Sequence, residues 1–429
     1  METWIQTQLD SGERVISERL PHVRSAAIGY WIGAGSRDET DSKAGISHFI
    51  EHLLFKGSSN YTALEVAEIF DGLGGELNAA TSREHTMVYS RVPEHHVETA
   101  MDVMGDMVFS PLFEDLDSER EVVLEEIAMY DDTPQDLVHD MIGEAVFGSH
   151  ALGRPVIGTA EVISSVSRRA LKSYHRAFYS PANIVVAGAG SVDHDQLVAL
   201  VQRAVDRRAD PEPGKPRIRP LLLKPPKPGR RFQRKDTEQY HVCLGAPGVS
   251  RADPRRFAAS ILDAILGGSA SSRLFQEIRE KRGMAYSVYS FVSQYADTGQ
   301  VGIYVGTRED NLAEALSIAV EQIADIAAGN VGDRELLRAQ DNLKGRLLLS
   351  MESTSARMSR IGKSLITDTE ILPLDRVIAE VEAVEAGAVA ALAAELLAPE
   401  RLSSAGIGPN EDKFLEALER AMPSVARAA

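Results

Sequence analysis

Two hydrophobic periods alternate along the chain, and their order predicts its elements. Glu13–Glu18 alternates apolar and polar positions after a turn at Ser11-Gly12, and Val23–Ile32 is a second β-rich run ending at Gly33-Ala34-Gly35. Ala44–Phe55 is an apolar run with the character of a buried helix, stopped at Lys56-Gly57. Thr62–Leu73 reads as an amphipathic helix, with Thr62 as its cap, Glu65 in the capping-box position and Gly74-Gly75 as its breaker. Strands are predicted at Glu76–Thr81 and Glu84–Val92, joined at Ser82-Arg83. Helices at 95–109, 117–130, 134–147 and 168–178, a buried strand at 183–189 and a helix at 193–205 complete this half. Residues 209–235 then turn Pro-rich and basic and read as an exposed, semi-rigid linker.

The rest repeats the plan. A strand at 240–246 leads to helices at 255–266 and 271–279. Strands at 285–292 and 299–307 follow, then helices at 310–328, 333–365 and 374–397, a strand at 402–407 and a last helix. The expected fold class is α+β, with two similar α/β-sandwich halves of mostly antiparallel sheet covered by helices. The expected domains are 1–208 and 236–429, joined by the linker 209–235.

Composition narrows the function. At 429 residues, the chain is too long for one ordinary core. A formal net charge of −17 argues against a nucleic-acid binder, and the basic linker lacks interleaved aromatics. The single cysteine, Cys243, excludes an intrachain disulfide and fits a reducing cytoplasm. The first residues lack the features of a targeting peptide, and no apolar stretch is long enough to span a bilayer, so no membrane association is expected. Gly33-Ala34-Gly35 resembles half of a dinucleotide fingerprint but lacks the third glycine.

The chemistry concentrates in His48-Phe49-Ile50-Glu51-His52. Two histidines four apart project from one face of a helix, so both imidazoles can reach one metal ion. Glu51 lies on nearly the same face, where a carboxylate can take a proton from a water on the metal. Burying two imidazoles and a carboxyl without partners costs several kcal/mol, about 2–7 for even one neutral polar group, and a metal is the economical partner. The order inverts the commoner His-Glu-x-x-His zinc helix and is a known metalloprotease signature. In the acidic helix 117–130, Glu119 and Glu126 are two turns apart and share a face with Val122 and Val123, while Glu121 and Glu125 face water. Either inward carboxylate would complete a two-His, one-carboxylate zinc site with its fourth position open. Ala79 and Ala80 leave the strand 76–81 approachable, as for a peptide added along an edge or for an ordinary edge strand of small residues.

On these residues, and over Gly45–Gly57, Gly74–Val92, Glu119–Asp132 with Pro134, and Gly267–Tyr289, the chain resembles the pitrilysin-type zinc peptidases, family M16. The resemblance is to the half-size bacterial members, akin to the mitochondrial processing peptidase β subunit. It implies that His48, His52 and Glu126 bind one Zn2+ per chain, that Glu51 is the general base, and that Glu119 supports a ligand histidine. It also implies that Asn78 and Ala79 hold substrate backbone, and that Arg279 and Tyr286 contact substrate. Without it, Arg279 reads as a solvated helix end and Tyr286 as a strand core residue. The implied activity is a zinc metalloendopeptidase cleaving peptides or unfolded segments. The implied assembly is a homodimer of two bowls around a chamber, with Arg279 and Tyr286 serving the partner's zinc. A non-catalytic scaffold or regulatory subunit, and an enzyme requiring a different, silent partner chain, are the rival readings. Manganese or cobalt would also suit these ligands.

Overall fold

The structure, a computed structural model, describes residues 4–208, 221 and 226–423. These form two compact units: 4–128 with 154–208 and 348–373, and 129–153 with 221, 226–347 and 374–423. No helix among the described residues is long and apolar enough to cross a membrane.

The first unit is built on six strands: β1 Trp4–Gln8, β2 Arg14–Arg19, β3 Ser25–Ile32, β4 Glu76–Thr81, β5 Thr86–Pro93 and β6 Ile184–Gly190. They lie in the order β1-β2-β6-β3-β5-β4, with only β2 and β6 parallel. The nearly continuous apolar runs of β3 and β6 suit a sheet covered on both faces, whereas the small, polar β4 lies at the edge. Val15, Ile28 and Tyr30 enter the main core with the helices Ile46–Leu54 and Val97–Phe109. On the opposite face, Ile16, Ala27, Trp31 and Val185 pack against Met358 and Ile361 of the helix Thr354–Ile366.

The second unit contains β7 Arg230–Arg234, β8 Tyr240–Gly248, β9 Ala285–Gln294, β10 Gly299–Thr307 and β11 Ser403–Gly408. Their order is β7-β11-β8-β10-β9, with β7 and β11 the parallel pair. In chain order and in pairing, these five strands repeat β2, β3, β4, β5 and β6. The helix Pro134–Phe147 covers one face, where Val138, Ile142 and Val146 meet Cys243, Tyr304 and Ile407.

The duplication read from the element order is therefore present, but the compact units are not the continuous stretches 1–208 and 236–429. Each half of the chain supplies one helix to the other half's sheet: Pro134–Phe147 lies in the second unit and Thr354–Ile366 in the first. Hydrophobic fit decides this, because these helices cover sheet faces that would otherwise lie bare. The linker reading also changes. Residues 209–220 and 222–225 lie outside the described residues, but 230–234 form β7, paired with β11. The helix expected at 333–365 is two helices, Asp333–Ser350 and Thr354–Ile366, the second capped by Ser353. The stretch 374–397 divides likewise into Leu374–Glu382 and Ala386–Leu396. The helix expected at 271–279 is present over 273–280, and its stretch Phe275–Glu280 is π-helical.

One clamp inside the first unit bears on the site. The loop after β3 docks on the β4–β5 turn, with the Ser36 N–H donating to the Ser82 carbonyl and the Arg37 N–H to the Arg83 carbonyl. A Cβ at Gly35 would lie 2.2 Å from the Ser82 carbonyl oxygen, so only glycine allows this approach. The Arg37 guanidinium sits 2.8 Å from the Glu84 carboxylate, the side chains 1% and 2% exposed. Arg37→Met is expected to destabilise the first unit by about 3–5 kcal/mol, because it removes one partner of a buried ion pair. Thermal or urea unfolding measures this; a loss typical of an exposed pair, under about 1 kcal/mol, would contradict it.

Candidate metal centre

The helix Ile46–Leu54 buries Phe49, Ile50, Leu53 and Leu54 in the core and leaves His48, Glu51 and His52 half-buried along one side. Its start is fixed by backbone geometry. Gly45, the N-cap, has φ +91°, and a Cβ there would lie 2.6 Å from the Ile157 carbonyl oxygen. The buried Glu39 carboxylate accepts the N–H groups of Gly45 at 2.7 Å and Ser47 at 2.8 Å, meeting donors that the helix cannot satisfy itself. Burial pushes the Glu39 pKa up to about 7, against those two donors.

The second contributor is the helix Leu116–Asp131, which buries Glu119, Val123 and Ile127 and leaves Glu126 half-buried. Glu121 and Glu125 are exposed, as the helical spacing predicts, but Val122 is also half exposed rather than on the inward stripe. The stripe runs through 119, 123 and 126–127, and Val122 falls to its flank.

One ligand atom from each of His48, His52 and Glu126 lies within 4.8 Å of the other two. Glu126 Oε2 is 3.2 Å from His52 Nε2 and 3.7 Å from His48 Nε2. A tetrahedral ion at roughly 2.0–2.1 Å from its ligands separates them by about 3.3 Å, so the group fits zinc. Its electrostatics suit a cation as well. Burial, and then the neighbouring His52, push the His48 pKa down to about 4, which keeps that ring neutral at pH 7. The His48 Nδ1 is buried with no hydrogen-bond partner among the described residues. The His52 Nδ1 lies 2.9 Å from Glu119 Oε1, and the other oxygen of Glu119 lies 2.7 Å from Lys56 Nζ. A carboxylate only accepts, so Nδ1 carries the proton and Nε2 keeps its lone pair toward Glu126.

Glu51 is not one of the three ligands. Burial raises its pKa; a 2.5 Å hydrogen bond donated by the Thr81 hydroxyl and the nearby His52 lower it, and Glu126 raises it again. The fully buried Tyr179 hydroxyl has no hydrogen-bond partner among the described residues, and its pKa is raised by burial and then by Glu51's charge.

Two family models match the chain, "Insulinase (Peptidase family M16)" over residues 14–160 and "Peptidase M16 inactive domain" over 165–343. A Streptomyces coelicolor protein named an uncharacterized zinc protease is 41% identical over 428 residues, 97% of this chain and 92% of the relative. The chain belongs to peptidase family M16. A Bacillus subtilis member, also named an uncharacterized zinc protease, is 40% identical over 394 residues, 90% of this chain and 94% of that one. A solved structure of a protease from Helicobacter pylori superposes with a TM-score of 0.87 at 21% identity, covering 95% of this chain and all of that one, which shows a shared fold. The M16 model named for its inactive domain spans much of the second half. Among the described residues that half contributes nothing to the His-His-Glu group.

The other expected site residues fall in two places. Asn78 and Ala79 are on β4, the outermost strand, paired only with β5, and the Asn78 side chain accepts the Ala79 N–H at 2.8 Å. Arg279 and Tyr286 lie together in the second unit. The Arg279 guanidinium packs 4.8 Å from the Tyr286 ring and 4.7 Å from that of Phe275, and it donates to the Tyr286 carbonyl at 3.0 Å. Tyr286 is not a core residue as its strand position alone suggests, but is 78% exposed beside an open pocket that also includes Gly267 and Gly268.

Sequence reasoning missed Lys56, Thr81 and Glu39. Lys56 stands four residues after His52, a spacing that could have linked it to the same carboxylate; Thr81 shares a strand face with Ala79. Nothing local in the sequence points to Glu39. Glu126→Gln is expected to leave the protein without stoichiometric zinc after dialysis against a mild chelator. Glu119→Gln should retain zinc with affinity about 10- to 100-fold weaker. Elemental analysis and chelator competition read both, and equal zinc content in the two variants would refute the ranking.

Proposed function

We propose that the chain is a zinc-dependent endopeptidase in which His48, His52 and Glu126 hold the metal and Glu51 is the general base. The observation that carries this reading is a carboxyl left over: Glu51 stands beside a three-ligand group, bonded by Thr81 and outside the ligand set. A structural zinc site normally uses four protein ligands, whereas a catalytic one keeps a position open. When bound, zinc supplies a Lewis acid that makes water more acidic and polarises a carbonyl. Glu51 takes the proton from the attacking water and returns it to the leaving amine. Glu119, itself held by Lys56, fixes the His52 ring so that Nε2 faces the metal. A peptide adding along the free edge of β4 presents its backbone to Asn78 and Ala79.

In the same reading, Arg279 and Tyr286 grip the substrate and come from a second copy of the chain. The support is chemical: an exposed tyrosine stacked on an arginine, on edge strand β9, makes a ready contact for a peptide.

Glu51→Gln is expected to keep its zinc while turnover of a quenched peptide falls about 100- to 10,000-fold, the usual contribution of a general base. Near-normal turnover would refute the assignment. Mixing separately inactive Glu51→Gln and Arg279→Ala proteins tests the shared site. Recovery of part of the activity supports contribution from a second copy; no recovery, with subunit exchange confirmed by labelled chains, places both functions on one chain.

A further inference from the structure

A general base works only if one oxygen of its carboxylate points at the proton it takes, and the metal ligands do not hold Glu51 in place. Thr81 does. It is the last residue of β4 and pairs with Thr86 across the hairpin. Its Oγ1 lies 2.5 Å from Glu51 Oε2 and 3.3 Å from Thr86 Oγ1. The Thr86 hydroxyl donates to the Ala34 carbonyl at 2.9 Å, so its proton is committed there. The Thr81 proton therefore goes to the carboxylate, which accepts it on Oε2 and also receives the Thr81 backbone N–H.

The hydroxyl cannot easily follow a moving carboxylate. Threonine is stiff about χ1, and the turn that closes the hairpin is pinned on both sides. Ser82 N–H and Oγ both bond to the His85 carbonyl at 2.8 Å, and the loop after β3 holds Ser82 and Arg83 through backbone hydrogen bonds. The carboxylate must take its orientation from the strand. That strand also carries Asn78 and Ala79, three and two residues earlier.

We propose that Thr81 is a positioning residue: it holds Glu51 in one orientation and references the base to the strand along which the peptide lies. The proposal rests on the reading of Glu51 as the base. It predicts an effect on the chemical step, because the Thr81 hydroxyl bonds the base and not one of the three ligand side chains.

Thr81→Val removes the hydroxyl at nearly constant volume, and Thr81→Ser keeps it. With a quenched peptide and the zinc-loaded full chain, Thr81→Val is expected to lower kcat roughly 10- to 100-fold, the effect of losing a hydrogen bond to a charged group. KM, zinc content and thermal midpoint should stay near the parent's, and Thr81→Ser should recover kcat to within a few-fold. The proposal is overturned if Thr81→Val keeps kcat within twofold while Glu51→Gln is inactive. It is equally overturned if Thr81→Ser loses as much as Thr81→Val, or if the loss follows zinc or KM. Parent-like turnover by Glu51→Gln would instead remove the base reading and Thr81's role with it.

Discussion

Crowding of negative charge governs the first unit. Glu51, Glu119 and Glu126 bring three carboxyls around two imidazoles, and the ammonium of Lys56 is the cation bonded within the cluster. Burial discourages His48 from supplying a positive charge. Such a cluster stays together because the flanking helices bury Phe49, Ile50, Val123 and Ile127 in a common core, and because Glu119 bonds His52 with one oxygen and Lys56 with the other. A divalent cation held by His48, His52 and Glu126 would relieve the remaining repulsion and would couple metal affinity to the stability of these two helices.

The duplicated architecture shows how much of this is scaffold. In the second unit, the helix Arg256–Leu266 follows β8 as the motif helix follows β3, and β9 is the counterpart of β4. Asp263 on that helix accepts a 2.6 Å hydrogen bond from the Ser290 hydroxyl on β9. Burial raises its pKa, and Ser290 lowers it. The acid-on-helix, hydroxyl-on-edge-strand pair thus occurs in both units, but Arg256–Leu266 contains no histidine. Metal chemistry needs the two imidazoles in addition to the shared frame.

What was legible in the sequence had a short period. The capping box of Thr62 and Glu65, the helix limits at Pro134 and Phe147, and the inward turn of Glu119 and Glu126 follow from spacing over a few residues. The approach of Glu126 to His52 joins helices far apart in sequence, and helical spacing left Glu119 and Glu126 equivalent; the family resemblance separated them. The break at Ser353 was missed because apolar residues continue through Leu347, Leu348 and Leu349 with no proline or glycine to mark the end. The partners Thr81 and Lys56 are ordinary residues in ordinary positions, and only tertiary packing aims them at the acids.

The exchange of Pro134–Phe147 and Thr354–Ile366 between sheets has a consequence for biosynthesis. While the chain emerges from the ribosome, the sheet beside the metal centre has one apolar face exposed, showing Ile16, Trp31 and Val185, until residue 366 has been made. The earlier helix, meanwhile, must wait beside a unit to which it does not belong until β8 and β11 appear. A nascent fragment that extends through β6 thus carries the whole zinc motif and all six strands of its sheet but lacks the helix that covers one face of it.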